Sequence, residues 1–215
     1  MTPRPRVSFA AMPNPVSHIS DTARWVAMYR ALESERPDAL FRDPHARRLA
    51  GPQGEAILRH LPGARKFAWP MIVRTAVMDE IIVRAVQRDG VDTVYLEAEQ
   101  VGALARDLHA QPVIRHWLID LATPRVLEMM KRSWGKQLTD GKSPLRFGPA
   151  EGTAFFKPLG WREAEFRSTW DESFRLNRTV RFGRVFRFLG RLSSKRKQEE
   201  ARRMAGIVLL GRHDG

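Results

Sequence analysis

The sequence predicts an α/β protein in which helices cover a sheet and a helical segment precedes that sheet. Residues 17–90 show only helical patterns, whereas strand and helix patterns alternate after residue 90, as in a three-layer α/β domain. Val113–Leu121 is a nearly continuous apolar run, which is typical of a buried strand in a parallel sheet. We therefore expect a flexible leader over 1–16, a helical N-terminal cap over 17–90 and an α/β core with basic C-terminal helices over 91–215.

The cap is predicted from apolar spacing and from residues that begin or end helices. Asp21 is a candidate N-cap, Asp43-Pro44 opens a short helix, and Gly51-Pro52 ends it. The longest helical pattern has Val73, Val77 and Ile81 on one face. The predicted cap helices span Thr22–Ser34, Asp43–Leu49, Gln53–His60 and Met71–Arg88.

The core is predicted from short apolar runs that alternate with helical patterns. The predicted strands are Val91–Leu96, Val113–Leu121, Arg162–Ser168 and Gly206–Leu210. The predicted helices are Glu97–His109, Arg125–Trp134, Glu151–Leu159, Trp170–Leu192 and Ser194–Met204. Glycines and prolines predict a loop over Gly135–Pro149.

Composition excludes several classes of protein. The 215 residues include no cysteine, which excludes a disulfide framework and fits a reducing compartment. No apolar run approaches the roughly 18 residues of a membrane helix, and residues 1–16 lack the apolar region of a signal peptide. We therefore expect a cytoplasmic protein with no membrane span.

The net charge of +13 points to an anionic partner, and the basic residues of Arg178–Lys197 recur at helical spacing. One interpretation is a surface that binds an anionic membrane or a nucleic-acid backbone. The sequence favours the other interpretation, a solvated helix that covers the sheet with its arginine stems over apolar neighbours. Nucleic acid is therefore the less favoured partner.

Six motifs are distributed along the chain: Val16–Arg48 with Arg36-Pro37-Asp38-Ala39-Leu40-Phe41-Arg42-Asp43-Pro44, Val73-Arg74-Thr75 with Asp79, Gly90–Val94, Pro124–Leu127, Phe147-Gly148-Pro149 and Pro158–Trp161. Together they resemble the leucine carboxyl methyltransferase family, in its branch similar to polyketide O-methyltransferases. The resemblance implies a class I S-adenosylmethionine-dependent enzyme with a Rossmann-like sheet. It also implies methyl transfer to a carboxylate or hydroxyl oxygen of a small-molecule acceptor.

The chain departs from the family pattern after Val94. In the family a glycine-rich loop and further strands follow the corresponding strand, whereas here Tyr95-Leu96 follows directly. An internal deletion of about three βα units, on the order of 90 residues, explains the junction. We expect a truncated sheet of about four strands, in which Val91–Leu96 lies beside Val113–Leu121. The missing strands also predict an exposed sheet edge that could form a homo-oligomer.

The resemblance assigns three candidate cofactor-binding residues. Arg74 stands where the family has an arginine that pairs with the methionine carboxylate of the cofactor, and a surface arginine is the alternative. Arg30 could contribute to a cap over the cofactor or pair with Glu33 three residues later. Tyr95 stands where the family chain passes the active site, although it could be a core residue. No single catalytic base is predicted.

The other chemistry-bearing residues give weaker signals. The six histidines have no spacing typical of metal ligands, so no metal is predicted. Asp120 could face a ligand crevice at the end of its strand or cap the helix that begins at Pro124, and the sequence favours the cap. Three functions remain open: an O-methyltransferase, a non-catalytic relative that binds a partner or oligomerises, and a basic binder of anionic surfaces.

Overall fold

The computed structural model describes residues 19–61, 63–89, 101–140 and 147–213. The predicted leader over residues 1–16, the predicted strand Val91–Leu96, the Val94–Tyr95 junction and Tyr95 itself all lie outside the described residues. The α-helices are α1 (Ile19–Ser34), α2 (Ala46–His60), α3 (Ala68–Asp89), α4 (Val101–His109), α5 (Pro124–Asp140), α6 (Thr169–Arg175), α7 (Gly183–Arg191) and α8 (Lys195–Arg202). The strands are β1 (His116–Ala122), β2 (Trp161–Ser168) and β3 (Ala205–Arg212), and 3-10 helices span Ala64–Phe67 and Gly152–Leu159.

The three strands form one sheet in the order β1-β3-β2, and β3 runs antiparallel to both neighbours. Leu118 lies opposite Leu209, and Phe166 lies opposite Val208 on the other side of β3. The prediction of a parallel sheet is therefore wrong for the described strands. The mixed α/β class is confirmed. About four strands were predicted, and the described residues contain three. A Rossmann-like topology remains a prediction.

Burial on both faces explains why the apolar run in β1 resembled a parallel strand. Trp117, Ile119 and Leu121 pack into one cluster, which also contains Phe156 and Trp161. Leu118 instead joins residues of α3 in a separate cluster on the opposite face. A strand that is covered on both faces needs apolar residues at successive positions, whatever the direction of its neighbours.

α3 covers one face of the sheet. Its buried residues Val73, Val77 and Ile81 follow helical spacing and pack with Leu118 of β1 and Ile207 of β3. The division of the chain at residue 90 into a cap and a core stays a prediction, although this helix lies directly on the sheet.

α1 and α2 pack against each other around a third apolar cluster, which contains Trp25, Tyr29 and Ile57. The two short helices predicted on either side of Gly51-Pro52 are one kinked segment, α2. Gly51 has φ +57° and ψ −170°, which is outside the helical region. A glycine adopts this conformation at little steric cost, so the helix bends there and continues.

Two predicted boundaries in the C-terminal half are wrong. Helix α5 continues to Asp140 through the first residues of the predicted loop Gly135–Pro149. The predicted helix Trp170–Leu192 is divided into α6 and α7, because Asn177 and Phe182 have positive φ angles of 52° and 65°. A right-handed helix cannot continue through such residues.

Candidate functional site

Arg74 lies on α3, beside the apolar stripe that packs on the sheet. Its Nε donates a hydrogen bond to Oδ2 of Asp120 at 2.8 Å, across 46 positions of the chain. Asp120 is the exposed position within the otherwise largely buried strand β1, two residues before the strand ends. The packing of α3 on β1 therefore brings together two residues that the sequence analysis singled out separately.

Asp120 does not cap the N-terminus of α5, which is the role that the sequence favoured. The first amides of α5, those of Val126 and Leu127, donate to the backbone oxygen of Thr123. The carboxylate of Asp120 faces Arg74 instead. Asp120 and Arg74 therefore form an ion pair near the carboxyl end of β1. Open sheets of parallel strands hold ligands at that end of their strands, whereas β1 pairs here with an antiparallel strand.

The Arg74–Asp120 pair has the exposure and the free donors that a ligand would need. The two side chains are 35% and 45% exposed. The ion pair uses Nε, and no partner of the two terminal guanidinium nitrogens is seen among the described residues. A carboxylate could therefore bind the guanidinium edge, and an ammonium group could bind Asp120. Such a pair is complementary to the two charges of an α-amino acid.

Arg30 is engaged with the start of α2. Its Nε donates to Oδ2 of Asp43 at 2.9 Å, and its guanidinium lies 5.4 Å from the centre of the Phe41 ring. The hydrogen bond from Arg30 is the main reason that the pKa of Asp43 lies below its usual value. Asp43 also accepts hydrogen bonds from the amides of His45 and Ala46. In the structure, Arg30 therefore fixes the approach to α2 and does not pair with Glu33.

Asp79 is the acidic group of α3 that lies near Arg30. Partial desolvation raises the pKa of Asp79, and the positive charge of Arg30 opposes this rise. Asp79 belongs to the motif that begins at Val73-Arg74-Thr75. The charge of Arg30 on α1 therefore acts on Asp79 of α3 as well as on Asp43, two acidic groups from different parts of the chain.

Glu33 and Arg178 form a buried ion pair that the sequence analysis missed. Nη2 of Arg178 donates to Oε1 of Glu33 at 2.7 Å, and Nε of Arg178 lies 3.0 Å from Oε2. The Glu33 side chain is fully buried and that of Arg178 is 7% exposed. Arg178 is therefore not part of a basic surface, contrary to the interpretation of Arg178–Lys197 as a surface that binds anionic partners. One feature of the sequence could have indicated that Glu33 is buried: it follows Tyr29, a buried residue, by four positions and so lies on the same apolar face of the helix.

The remaining polar features do not extend this site. Two surface clefts, one around Arg115 and His116 and one around Leu58–Lys66, contain neither Arg74 nor Arg30. Among the residues that the structure describes, no group of three His, Asp or Glu could hold a metal ion. Nε2 of His109 and Nδ1 of His116 are buried and have no hydrogen-bond partner in the described parts of the chain.

Comparison with known proteins supports the family that the sequence motifs predict. Residues 23–120 match the family model described as Leucine carboxyl methyltransferase, and this match includes Arg30, Arg74 and Asp120. The match covers slightly less than half of the chain, so this part of the protein is similar to a family of S-adenosylmethionine-dependent methyltransferases. No curated protein and no solved structure matches the chain.

Proposed function

We propose that this protein binds S-adenosylmethionine through the Arg74–Asp120 pair and transfers the methyl group to a carboxylate or hydroxyl oxygen of a small molecule. The family match supports the class of reaction. The observation that carries the proposed site is the 2.8 Å contact between Arg74 and Asp120 at the carboxyl end of β1. In this proposal Arg74 receives the carboxylate of the cofactor's methionine part, and Asp120 receives its ammonium group.

The cofactor supplies an electrophilic methyl group on its sulfonium. The residues of the chain position the acceptor oxygen in line with that group and exclude water, because methyl transfer depends chiefly on proximity and orientation. Arg30 is the second candidate for the cap over the cofactor, held in place by Asp43. We also propose that Tyr95 lies near the active site, as the resemblance to the family implies.

A second candidate function is that of a non-catalytic relative that binds a partner or oligomerises. The observation in its favour is the sequence between Val91 and Gln100, which contains no glycine. A backbone that approaches a nucleoside cofactor closely after the first strand ordinarily needs glycine there. A folded chain that does not bind the cofactor, or that binds it without methyl transfer, is the result expected of this candidate.

Isothermal titration with S-adenosylmethionine tests the proposed site. The Arg74→Ala variant should bind S-adenosylmethionine about tenfold to a hundredfold more weakly, because it loses a charge-assisted contact to the cofactor carboxylate. Arg84→Ala is the matched control, because Arg84 lies on the same helix, is equally exposed at 35% and forms its own ion pair with Glu165. Equal affinities of the two variants would contradict the role of Arg74.

Two further ligands and one further variant define what the pair recognises. Adenosine lacks the amino acid, so its affinity should be the same in Arg74→Ala and the unaltered protein, whereas that of S-adenosylhomocysteine should fall. Asp120→Asn should weaken cofactor binding if Asp120 holds the ammonium group. Tighter binding would show instead that Asp120 only competes with the cofactor for Arg74.

Turnover separates the two candidate functions. The protein is incubated with S-adenosylmethionine and a panel of small carboxylic acids and alcohols, and formation of S-adenosylhomocysteine is measured. Acceptor-dependent product, reduced in Arg74→Ala, supports the methyltransferase. Binding that depends on Arg74 without product from any acceptor supports the non-catalytic relative.

A further inference from the structure

Helix α7 presents an apolar face to the solvent. The large apolar side chains in and beside this helix are each more than half exposed: Phe182, Val185, Phe186, Phe188, Leu189 and Leu192. Gly183 is the buried residue of the helix. A surface helix ordinarily buries its apolar face against the protein, so packing within the described part of the chain does not explain this arrangement.

The helix is strongly amphipathic, and one arginine of its basic side contacts α6. At about 100° per residue, Val185, Phe186 and Leu189 fall on one side of the helix, and Arg184, Arg187 and Arg191 fall on the other. The guanidinium of Arg187 lies over the Phe174 ring of α6, 4.5 Å from its centre. Since Val185, Phe186 and Leu189 are each more than half exposed, the apolar side faces the solvent. The prediction that this helix covers the sheet is therefore wrong for its apolar side.

The surroundings of this face are basic. Residues 179–198 contain seven arginines and lysines and no aspartate or glutamate. Arg181 lies beside the apolar face, with its guanidinium 5.2 Å from the centre of the Phe182 ring. Lys195, Arg196 and Lys197 follow at the start of α8, where Arg196 has one exposed acidic neighbour, Glu200 at 3.6 Å. An occupant of this surface must accept apolar side chains and positive charges together.

We propose that α7 docks the protein on an anionic lipid bilayer. The helix lies in the plane of the interface, with Phe186 and Leu189 at the level of the acyl chains. The flanking arginines and lysines contact lipid phosphates. A bilayer offers hydrocarbon and anionic headgroups within one helix diameter, which is the combination that this surface requires. This docking is independent of the methyltransferase site and stands whether or not the cofactor binds.

Other occupants fit the surface less well. A nucleic-acid backbone would neutralise the positive charges but would leave the apolar face in water. A second copy of the chain would cover the apolar face but would bring two sets of seven positive charges together. The structure describes no helix that is long and apolar enough to cross a membrane, so α7 lies on the bilayer and does not span it.

The absence of cysteine allows a single reporter to be placed on the helix. Leu189→Cys is labelled with an environment-sensitive dye and mixed with vesicles of phosphatidylcholine and phosphatidylglycerol. The emission should shift to the blue, because the dye enters an apolar layer. Val113→Cys is the control, since Val113 is 84% exposed but lies away from α7, before β1. Its dye should show no shift with the same vesicles.

Vesicle co-sedimentation of the full chain measures the two contributions separately. Phe186→Ser with Leu189→Ser should lower the partition coefficient at least tenfold, because two side chains no longer enter the bilayer. Arg184→Gln with Arg191→Gln should lower it on the order of tenfold, and raising the salt concentration should have the same effect. Arg106→Gln with Arg132→Gln removes two exposed arginines elsewhere and should leave it unchanged.

Three outcomes would overturn the proposal. Equal binding to anionic vesicles and to pure phosphatidylcholine, or no binding to either, would exclude an anionic bilayer as the partner. A dimer in light scattering that the double serine variant converts to a monomer, without vesicle binding, would assign the face to a second copy. DNA binding that exceeds vesicle binding and does not change in the double serine variant would assign the charges to nucleic acid.

Discussion

Substitution of Arg178 by methionine should be one of the most damaging changes to the described part of the chain. The substitution keeps a long side chain but removes the guanidinium that faces the fully buried carboxylate of Glu33. Glu33 would then keep a hydrogen bond from the amide of Leu40 at 2.9 Å and a weak contact with Arg36 at 3.7 Å. A buried charge that loses its partner costs about 3–5 kcal/mol in the free energy of unfolding.

The double variant Glu33→Met with Arg178→Met tests whether the cost comes from the uncompensated charge. It removes both charges, so its free energy of unfolding should recover to within about 1–3 kcal/mol of the unaltered protein. The remaining loss reflects the amide of Leu40, which no longer has the carboxylate as its acceptor, and the lost hydrogen bonds from Arg178 to the carboxylate and backbone oxygen of Asp38. Urea denaturation followed by circular dichroism gives the free energies of all members of the cycle.

The matched control is Arg202→Met. Arg202 also forms an ion pair, with Asp171 at 2.7 Å, but its side chain is 59% exposed. Its loss should cost about 0–1 kcal/mol, because exposed pairs contribute little. Arg178→Met could instead lower the free energy of unfolding no more than Arg202→Met does. The Glu33–Arg178 pair would then not be needed to attach α1 to the chain after α6, and the reasoning from burial would be refuted.

Two further predictions concern a glycine and a carboxylate. Gly160→Ala should be more destabilising than Gly63→Ala in urea denaturation. Both glycines are in the left-handed region, which costs alanine about 1–2 kcal/mol, but a Cβ at Gly160 would lie 2.3 Å from Nε2 of His109, whereas the nearest atom to a Cβ at Gly63 is 3.5 Å away, in Phe67. Equal losses would show that His109 moves aside freely. Arg30→Gln should flatten the acid dependence of stability. The pKa of Asp43 is lowered in the folded protein, so its stabilising contribution is present above the ordinary value of 3.8 and is lost as the pH falls through the lowered pKa. The free energy of unfolding should therefore fall less steeply below about pH 4 in this variant than in the unaltered protein or in Arg59→Gln, and parallel curves would contradict the link between Arg30 and Asp43.

Local patterns predicted most of the elements and some of the site. The spacing of Val73, Val77 and Ile81 indicated both the helix and its buried face, because periodicity reports which side of an element is apolar. The motif with Arg74 indicated a resemblance to leucine carboxyl methyltransferases, which the match over residues 23–120 supports. The helix break near Asn177 and Phe182 was not predicted. Asn177 is of a residue type that favours positive φ, but the apolar spacing of the segment outweighed this signal, and Phe182 gives no such signal.

Contacts between distant residues could not be predicted in the same way. The pairing of Glu33 with Arg178 spans 145 positions, and nothing in either segment specifies the other. The meeting of Arg74 and Asp120 depends on the packing of α3 on β1, which the separate patterns of the two elements leave open. The direction of the neighbours of β1 was likewise undetermined, since burial on both faces produces the same apolar run in parallel and antiparallel sheets.

The sequence by itself determined the mixed α/β class, the resemblance of residues 23–120 to leucine carboxyl methyltransferases and the amphipathic character of residues 182–192. The tertiary structure decided which way each charged or apolar face points. It buried Arg178, left Arg74 exposed beside Asp120, and turned the apolar side of α7 toward the solvent. The physical reason is that periodicity fixes the faces of an element relative to each other, whereas their orientation depends on the neighbours against which the element packs.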